Sequence, residues 1–328
     1  MKKILFITNG HGEAQVADEL TKHLPADFNI TRLSLANETL PSGGFSLRNF
    51  KFLLQDITAG LVSKSIKNFF ALKSLRGQVD LTVAIGDIVP IIGALIAKAP
   101  FIFVGVNKSN YYQSFGSRYT PWEKYLLKKY ARKIFVRDKV TIFPGAEYVG
   151  NPLMDCLGKM TNDEFRMTNE GHTIIGFLPG TREDAKLNLE DFEIIIQELK
   201  RHDLSKFSVA TKLKNIPPEI ANKPFAEVLA ESDLIIGLSG TGNEQAAGVG
   251  KPVISFYGRG SQYNKKFAQA QKELLGEALL LTQNPISAAN ETLKLLKNPT
   301  RMKKMGIVGQ ERMGERGAIA KIASYCLR

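Results

Sequence analysis

Residues 234–254, Leu-Ile-Ile-Gly-Leu-Ser-Gly-Thr-Gly-Asn-Glu-Gln-Ala-Ala-Gly-Val-Gly-Lys-Pro-Val-Ile, decide the fold. Leu234-Ile235-Ile236 reads as a buried strand, and Ser239-Gly240-Thr241-Gly242 as a turn of small residues. Asn243–Val249 has helical spacing, and after Pro252 a second strand opens at Val253-Ile254. A strand, a helix and another strand in this order make a parallel unit, since only parallel neighbours need a helical crossover. The backbone N–H groups in the helix's first turn have no partner within the helix and can hold phosphate. Ser239 or Thr241 is placed to cap that helix, and Glu244, one turn in, to accept hydrogen bonds from a ribose. An ordinary capped helix accounts for the cap but not for so many small residues in a row.

The same alternation extends outward in both directions. Strand-like runs fall at Ile4–Thr8, Ile30–Leu35, Leu81–Ile85, Phe101–Val106 and Lys133–Val136, then at Thr173–Leu178, Phe207–Ala210, Leu234–Leu238, Val253–Phe256 and Ala278–Leu281. Helical stretches such as Glu13–Leu24, Pro121–Ala131 and Asn188–His202 separate them. The expected class is α/β, with two doubly wound, Rossmann-like domains facing a cleft. At 328 residues, 44% of them hydrophobic, the chain exceeds one minimal core. The Gly150-Asn151-Pro152 break divides it into 1–150 and 151–309, and a last helical stretch, Gln310–Leu327 within 310–328, is expected to cross back to the N-terminal domain. In such sheets ligands bind at the carboxyl ends of the strands.

Forty-four Lys and Arg against 32 Asp and Glu leave a net charge of +12, which points to an anionic partner. Residues 1–150 hold +9 of it. Residues 45–77 interleave Phe, Leu, Ile and Val with Arg48, Lys51, Lys64, Lys67, Lys73 and Arg76 against the single acid Asp56, the pattern of a helix lying on an anionic membrane surface. A helix pair packed on the sheet with a solvated basic face fits the same residues. Nucleic acid fits less well, because the cations alternate with aliphatic and Phe residues at helical spacing. The tract Ile88–Val106 contains Pro90, Lys98 and Pro100 and reads as a buried helix and strand, so no transmembrane helix is expected. The opening apolar run stops at Thr8-Asn9-Gly10, and Cys156 and Cys326 have no metal-ligand spacing, so a cytoplasmic, reducing setting is expected.

Three further turns carry chemistry. Gly176-Phe-Leu-Pro179-Gly180-Thr181-Arg182 is a strand ending in a tight turn followed by a cation able to neutralise a diphosphate. In the first loop, Asn9-Gly10-His11-Gly12-Glu13, glycines allow close approach of a ligand while His11 and Glu13 bring titratable groups to the top of the sheet. Ile85-Gly86-Asp87 ends the third strand with a carboxylate at the same edge. Either His11 or Asp87 can deprotonate a sugar hydroxyl. Asp87 reads equally as the cap of the following helix, and His11 as an acceptor-binding residue.

Taken together, these loops, with Tyr148-Val-Gly-Asn-Pro-Leu-Met-Asp155 and Gly250-Lys-Pro252, resemble the lipid-A-disaccharide synthase family of the glycosyltransferase B superfamily. The resemblance spans the whole chain in order. It implies a UDP-sugar donor held by the C-terminal domain through Gly180, Arg182, Ser239, Gly240, Thr241, Asn243 and Glu244, and no required metal or other cofactor. It also implies a lipid-linked or membrane-associated acceptor met by the N-terminal domain, with a base among His11, Glu13 and Asp87. The family's first loop carries Gly-Glu-x-Ser-Gly-Asp, whereas Gly12-Glu13 here is followed by Ala14-Gln15-Val16-Ala17. The chain therefore looks like a related branch with a different acceptor side. The function expected is that of an inverting glycosyltransferase peripheral to the inner face of the cell membrane. A UDP-sugar epimerase of the same architecture and a non-catalytic nucleotide-sugar-binding protein are the alternatives.

Overall fold

The computed structural model describes residues 1–35, 61–158, 173–181 and 184–327. They form two compact units, Met1–Cys156 with Glu315–Arg328, and Leu157–Gly314. In the first unit the order is β1 (Lys3–Thr8), α1 (His11–Lys22), β2 (Asn29–Ser34), α2 (Leu61–Ser74), β3 (Leu81–Gly86), α3 (Ile88–Ala97), β4 (Phe101–Gly105), α4 (Pro121–Tyr130), β5 (Ala131–Phe135), β6 (Ala146–Glu147) and α5 (Pro152–Asp155). The second runs β7 (Ile174–Leu178), α6 (Ala185–Lys200), β8 (Lys206–Val209), β9 (Ile220–Asn222), α7 (Phe225–Glu231), β10 (Leu234–Gly237), α8 (Gly240–Gly248), β11 (Val253–Ser255), α9 (Lys265–Leu275), β12 (Leu279–Leu281), α10 (Pro285–Leu296) and α11 (Pro299–Met313). A last helix, α12 (Ala318–Leu327), belongs to the first unit.

Both six-stranded sheets are parallel throughout, in the orders β2-β1-β3-β4-β5-β6 and β12-β11-β10-β7-β8-β9. Their central strands are buried on both faces, as the unbroken Ile, Val and Leu runs require. Each order reverses direction once, between β1 and β3 in the first sheet and between β7 and β10 in the second. Loops leaving the carboxyl ends of those two strands diverge to opposite faces and open a crevice there. In the first sheet the loops after β1 and β3 carry His11, Glu13 and Asp87. In the second, the loops after β7 and β10 carry Gly180 and Ser239.

All ten strand-like runs of the sequence form strands. β6 and β9 were not among them, because β6 has only two residues and the three of β9, Ile-Ala-Asn, present one buried side chain and no period. The expected continuous helix over Gln310–Leu327 is corrected to two. α11 ends at Met313, where Gly314 at φ +78° and Gly317 at φ +97° turn the chain before α12 starts. Of residues 45–77, read from sequence as a lipid-facing segment, 45–60 lie outside the described residues and Leu61–Ser74 is helical. Among the described residues no helix is long and apolar enough to cross a membrane.

The stretch Tyr148–Asp155 receives α12. Asp155 accepts hydrogen bonds from the backbone N–H groups of Gly317 (2.6 Å) and Ile319 (2.7 Å), capping the start of the helix. The Glu315 N–H donates to the Tyr148 hydroxyl at 3.0 Å, and the Asn151 N–H donates to the Glu315 carbonyl at 2.8 Å. Ile319, Ile322, Ala323 and Cys326 then join Val16, Leu20 and the inner face of β1 and β3 in one apolar cluster. Gly150 allows the close approach. Its φ is +120°, and a Cβ there would lie 3.0 Å from the Glu315 carbonyl oxygen.

Removing this clasp should unfold the first unit more easily, and Trp122, the chain's single tryptophan and part of that unit, reports it. Asp155→Ala is expected to cost about 1–2 kcal/mol through the lost cap. Gly150→Ala should cost more, about 2–4 kcal/mol, from backbone strain and the close carbonyl. Urea titrations followed by Trp122 emission measure both, and wild-type midpoints in both variants would mean that α12 is held by its apolar face alone.

Candidate functional site

In the second unit the two turns at the reversal lie side by side. The Leu238 N–H donates to the Leu178 carbonyl at 2.9 Å, continuing the β7–β10 pairing into the turns. Gly180 has φ +82°, a conformation that L side chains rarely adopt, and a Cβ there would lie 3.5 Å from the Leu238 carbonyl oxygen. Asn188 of α6 anchors the preceding residue by donating from Nδ2 to the Pro179 carbonyl at 2.8 Å. Ser239 is the N-cap of α8, its Oγ accepting from the Gly242 N–H at 3.2 Å. That cap leaves the N–H groups of Gly240 and Thr241 at the positive end of the helix dipole, available to an anion. Ser239, Gly240, Thr241 and Glu244 are all at least partly accessible.

Asn243, read from sequence as a nucleotide contact, has its side chain fully buried beneath the turn. Its Nδ2 lies 3.0 Å from the Gly237 carbonyl, 3.3 Å from the Tyr263 hydroxyl and 2.8 Å from Gln271 Oε1. The hydroxyls of Ser255 and Tyr263 complete the network. Ser255 Oγ donates to the Gly237 carbonyl at 2.6 Å, and the Tyr263 hydroxyl donates to Gln271 Oε1 at 2.5 Å. Burial holds the Tyr263 hydroxyl well above its ordinary pKa, so it stays a neutral donor. Gln271 then reaches back with Nε2 to the carbonyls of Ser239 (3.2 Å) and Gly240 (2.8 Å). The turn is thus suspended from below by neutral polar groups. Gly237 is obligatory, because a Cβ there would lie 1.9 Å from Asn243 Oδ1. Arg182 lies outside the described residues.

In the first unit Glu13 is buried in the opening turn of α1 and is 1% exposed. The Asn9 backbone N–H donates to its Oε2, and the Asn107 side-chain amide, from the loop after β4, donates to its Oε1. The carboxyl fits only because Gly86 ends β3 with φ +128° and no side chain. A Cβ there would lie 2.1 Å from Glu13 Oε1. Asp87 follows as N-cap of α3, accepting from the Val89 N–H at 3.1 Å. Burial, then the Asp87 charge, push the Glu13 carboxyl from 4.5 up to about 8 against the opposing pull of its N–H donors. His11 opens α1 as an exposed residue at the same edge. The edge therefore gathers His11, Glu13, Asp87 and Asn107.

Asn107, Asn188, Tyr263 and Gln271 were not singled out from sequence. Asn107 had a legible signal, since a polar residue right after the buried strand Phe101–Gly105 falls on the edge that binds ligands in this class of sheet. The other three sit within helices or loops whose approach to the turns depends on tertiary packing. Asn107 is itself held in place, because the next residue, Lys108, makes a buried ion pair with Glu123 of α4 at 2.7 Å. Glu123 also closes a capping box with Thr120.

No protein family profile matches the chain, and no curated protein matches it in sequence. Solved structures do match it in fold. UDP-GlcNAc 2-epimerase from Neisseria meningitidis, bound to UDP-GlcNAc, superposes with a TM-score of 0.60 at 16% identity, covering 99% of both chains. MurG from Acinetobacter baumannii gives 0.60 at 14% identity, again over 99% of both. Spinosyn rhamnosyltransferase SpnG gives 0.60 at 12% identity, over 99% of this chain and 100% of that one. At such identities the likeness is one of fold. Along its whole length the chain has the two Rossmann-like units of the GT-B fold.

The Glu13 carboxyl has a thermodynamic consequence. The folded protein keeps a proton that the unfolded chain releases near pH 4.5, so stability falls as pH rises from about 4.5 to about 8. Across that window the wild type should lose on the order of 4–5 kcal/mol more than Glu13→Gln, whose side chain does not titrate. Denaturant unfolding at a series of pH values measures the slope. Asn107→Ala removes a donor that favours the ionised form and should raise the carboxyl further, read as its ¹³C titration midpoint. A wild-type midpoint between 4 and 5 would refute the burial argument.

Proposed function

We propose that the chain is an inverting glycosyltransferase that moves a sugar of the N-acetylglucosamine type from a UDP-sugar to a lipid-linked or membrane-associated acceptor, as a branch related to the lipid-A-disaccharide synthases. The observation that carries this reading is the pairing of unlike chemistry at the two sheet reversals. One holds a neutral, dipolar turn suited to a diphosphate, and the other a buried carboxyl whose proton affinity is tuned toward neutrality.

In the donor half, the N–H groups of Gly240 and Thr241 and the Ser239 hydroxyl face the diphosphate, Gly180 lets the facing turn approach, Arg182 neutralises the departing UDP, and Glu244 accepts from the ribose hydroxyls. Asn243 holds the turn in shape and does not touch the nucleotide. The negative charge of the leaving group falls to the helix dipole and Arg182, so the step requires no metal. In the acceptor half a base removes the proton of the attacking hydroxyl. Of His11, Asp87 and Glu13, we favour Glu13, because a base works best with a pKa near the working pH and Asp87 is engaged in capping α3. The basic segment 45–77 docks this unit on the inner face of the cell membrane, where such an acceptor is held.

The epimerase reading is favoured by one observation, the fold likeness to UDP-GlcNAc 2-epimerases. It calls for acid and base groups acting on the donor sugar itself. Incubation with UDP-N-acetylglucosamine alone separates the two, since an epimerase converts it without an acceptor and a transferase needs one.

Thermal-shift titration with UDP, UDP-N-acetylglucosamine, UDP-glucose, GDP and ADP tests the donor half, as a ligand bound only by the folded state raises the midpoint. Midpoints should rise with the uridine nucleotides alone, and the rise should be lost in Arg182→Ala and Glu244→Ala. No response at millimolar UDP would move the reading to a protein that keeps the fold without turnover. For the acceptor half, kcat/KM should climb with pH and level off above about 8, and Glu13→Gln should lower it by about 10²–10⁴-fold. If only His11→Ala or Asp87→Asn has an effect of that size, the base is reassigned.

A further inference from the structure

Helix α4, whose lysines belong to a second basic cluster of the sequence, has an outward face of unusual composition. Its inner side is conventional, with Glu123, Leu126 and Leu127 buried. Its outer side exposes Trp122 at 63%, Tyr125 at 50% and Tyr130 at 47%. The Trp122 and Tyr125 rings stack at 5.8 Å with an interplanar angle of 24°. Lys129 ties the stripe together, its Nζ 3.0 Å from the Tyr125 hydroxyl and 5.2 Å from the Tyr130 ring centroid. Lys124 and Lys128 flank it, and the helix's only acid, Glu123, is turned inward and neutralised by Lys108.

A face built only for water would carry charges of both signs and few large rings. Trp and Tyr beside Lys, with no acid among them, is the composition that settles at the headgroup level of an anionic bilayer, the rings in the interface and the ammonium groups on lipid phosphates. The surface continues beyond the helix. Lys124 lies 5.5 Å over the Phe143 ring, next to exposed Ile142. On its other side α4 packs beside α3, which packs beside α2 with its exposed Phe69 and Phe70. Position supports the same partner, since α4 begins at the ligand-binding edge and Glu123 in its first turn holds Lys108, the neighbour of Asn107.

We propose that the outer face of α4, through Trp122, Tyr125, Tyr130, Lys124, Lys128 and Lys129, docks the first unit on an anionic lipid surface. The inference rests on the reading of a membrane-held acceptor, and it adds an anchor separate from residues 45–77.

The full-length protein is mixed with phosphatidylcholine vesicles, with and without phosphatidylglycerol, and followed by co-sedimentation and by emission of its one tryptophan, Trp122. Phosphatidylglycerol vesicles should pull the protein down and shift Trp122 emission to the blue. Neutral vesicles should do neither, and added salt should weaken both effects. Reversing Lys124, Lys128 and Lys129 to Glu should lower partitioning at least tenfold, given roughly fivefold per lysine. Trp122→Ala with Tyr125→Ala should also lower it. The proposal is overturned by unchanged Trp122 emission with anionic vesicles at low salt. It is equally overturned by binding that survives the α4 reversals but is lost on changing Lys64, Lys67 and Lys73 to Glu, or by quenching with an oligonucleotide and not with vesicles. Circular dichroism of each variant shows that it is folded, and its midpoint response to UDP is recorded alongside. A retained UDP response with no vesicle binding removes this proposal alone, and vesicle binding without a UDP response removes the transferase reading alone.

Discussion

A parallel sheet cannot return its chain through a tight turn. Every connection has to run from the carboxyl end of one strand back to the amino end of the next, so the polar loops that follow buried strands gather at one edge. Where the strand order reverses, two adjacent loops leave in opposite directions, and the crevice they open is the one place where side chains from distant parts of the sequence meet without disturbing the apolar layers. Both sheets obey this constraint, and the residues with the most pronounced local demands cluster at those two points. Gly86, Gly180 and Gly237 are all there, and each is the residue that ends a strand or turns the chain just beyond it.

The two crevices solve the problem of polar groups below the surface in different ways. In the second unit the groups under the Ser239–Gly242 turn are hydroxyls and amides that bond one another, all but Asn243 Oδ1, at a lower desolvation cost than a charge would carry. Gln271 ties down the carbonyls of Ser239 and Gly240, and the helix start beside them presents its N–H groups to an incoming negative charge. In the first unit an ionisable carboxyl is buried, and the N–H donors of Asn9, Asn107 and Gly10 do not offset its burial and the nearby Asp87. The result is a group that keeps its proton at neutral pH but yields it at small cost. Rigidity in one unit and proton affinity in the other are separable properties, set by different residues.

The fold was legible because buried parallel strands are written as runs rich in Ile, Val, Leu and Phe, and the ten strand-like runs include the eight that form the two sheet centres. Short edge strands escape the same reading, as β9 shows, since one buried residue in three carries no period. Turns were legible where glycine and small residues cluster, and so His11, Glu13, Asp87, Gly180 and Ser239 are found at the reversals. What lies under a turn was not. Asn243 sits between Gly242 and Glu244 in sequence, and only the positions of Tyr263 and Gln271, 20 and 28 residues away, decide that its side chain faces inward. Asn107 needed the pairing of β3 with β4 before its amide could be matched to Glu13.

The unit that buries the Glu13 carboxyl is also clasped at a distance from the crevice. A carboxyl held against its natural ionisation stores free energy that any loosening of α1 or β3 would release. α1 packs against α12, whose start is tied by Asp155 and whose apolar face completes the cluster around Val16 and Leu20. On the opposite face of the sheet, the Lys108–Glu123 pair fixes the loop that supplies Asn107, at the cost of burying two charges that compensate one another. The C-terminal helix and the buried ion pair act on different elements. Their common effect is to keep Asn9, Gly86 and Asn107 at the spacing that lets one glutamate carry a proton near neutrality, which ties the most local chemistry of the chain to contacts made by its last ten residues.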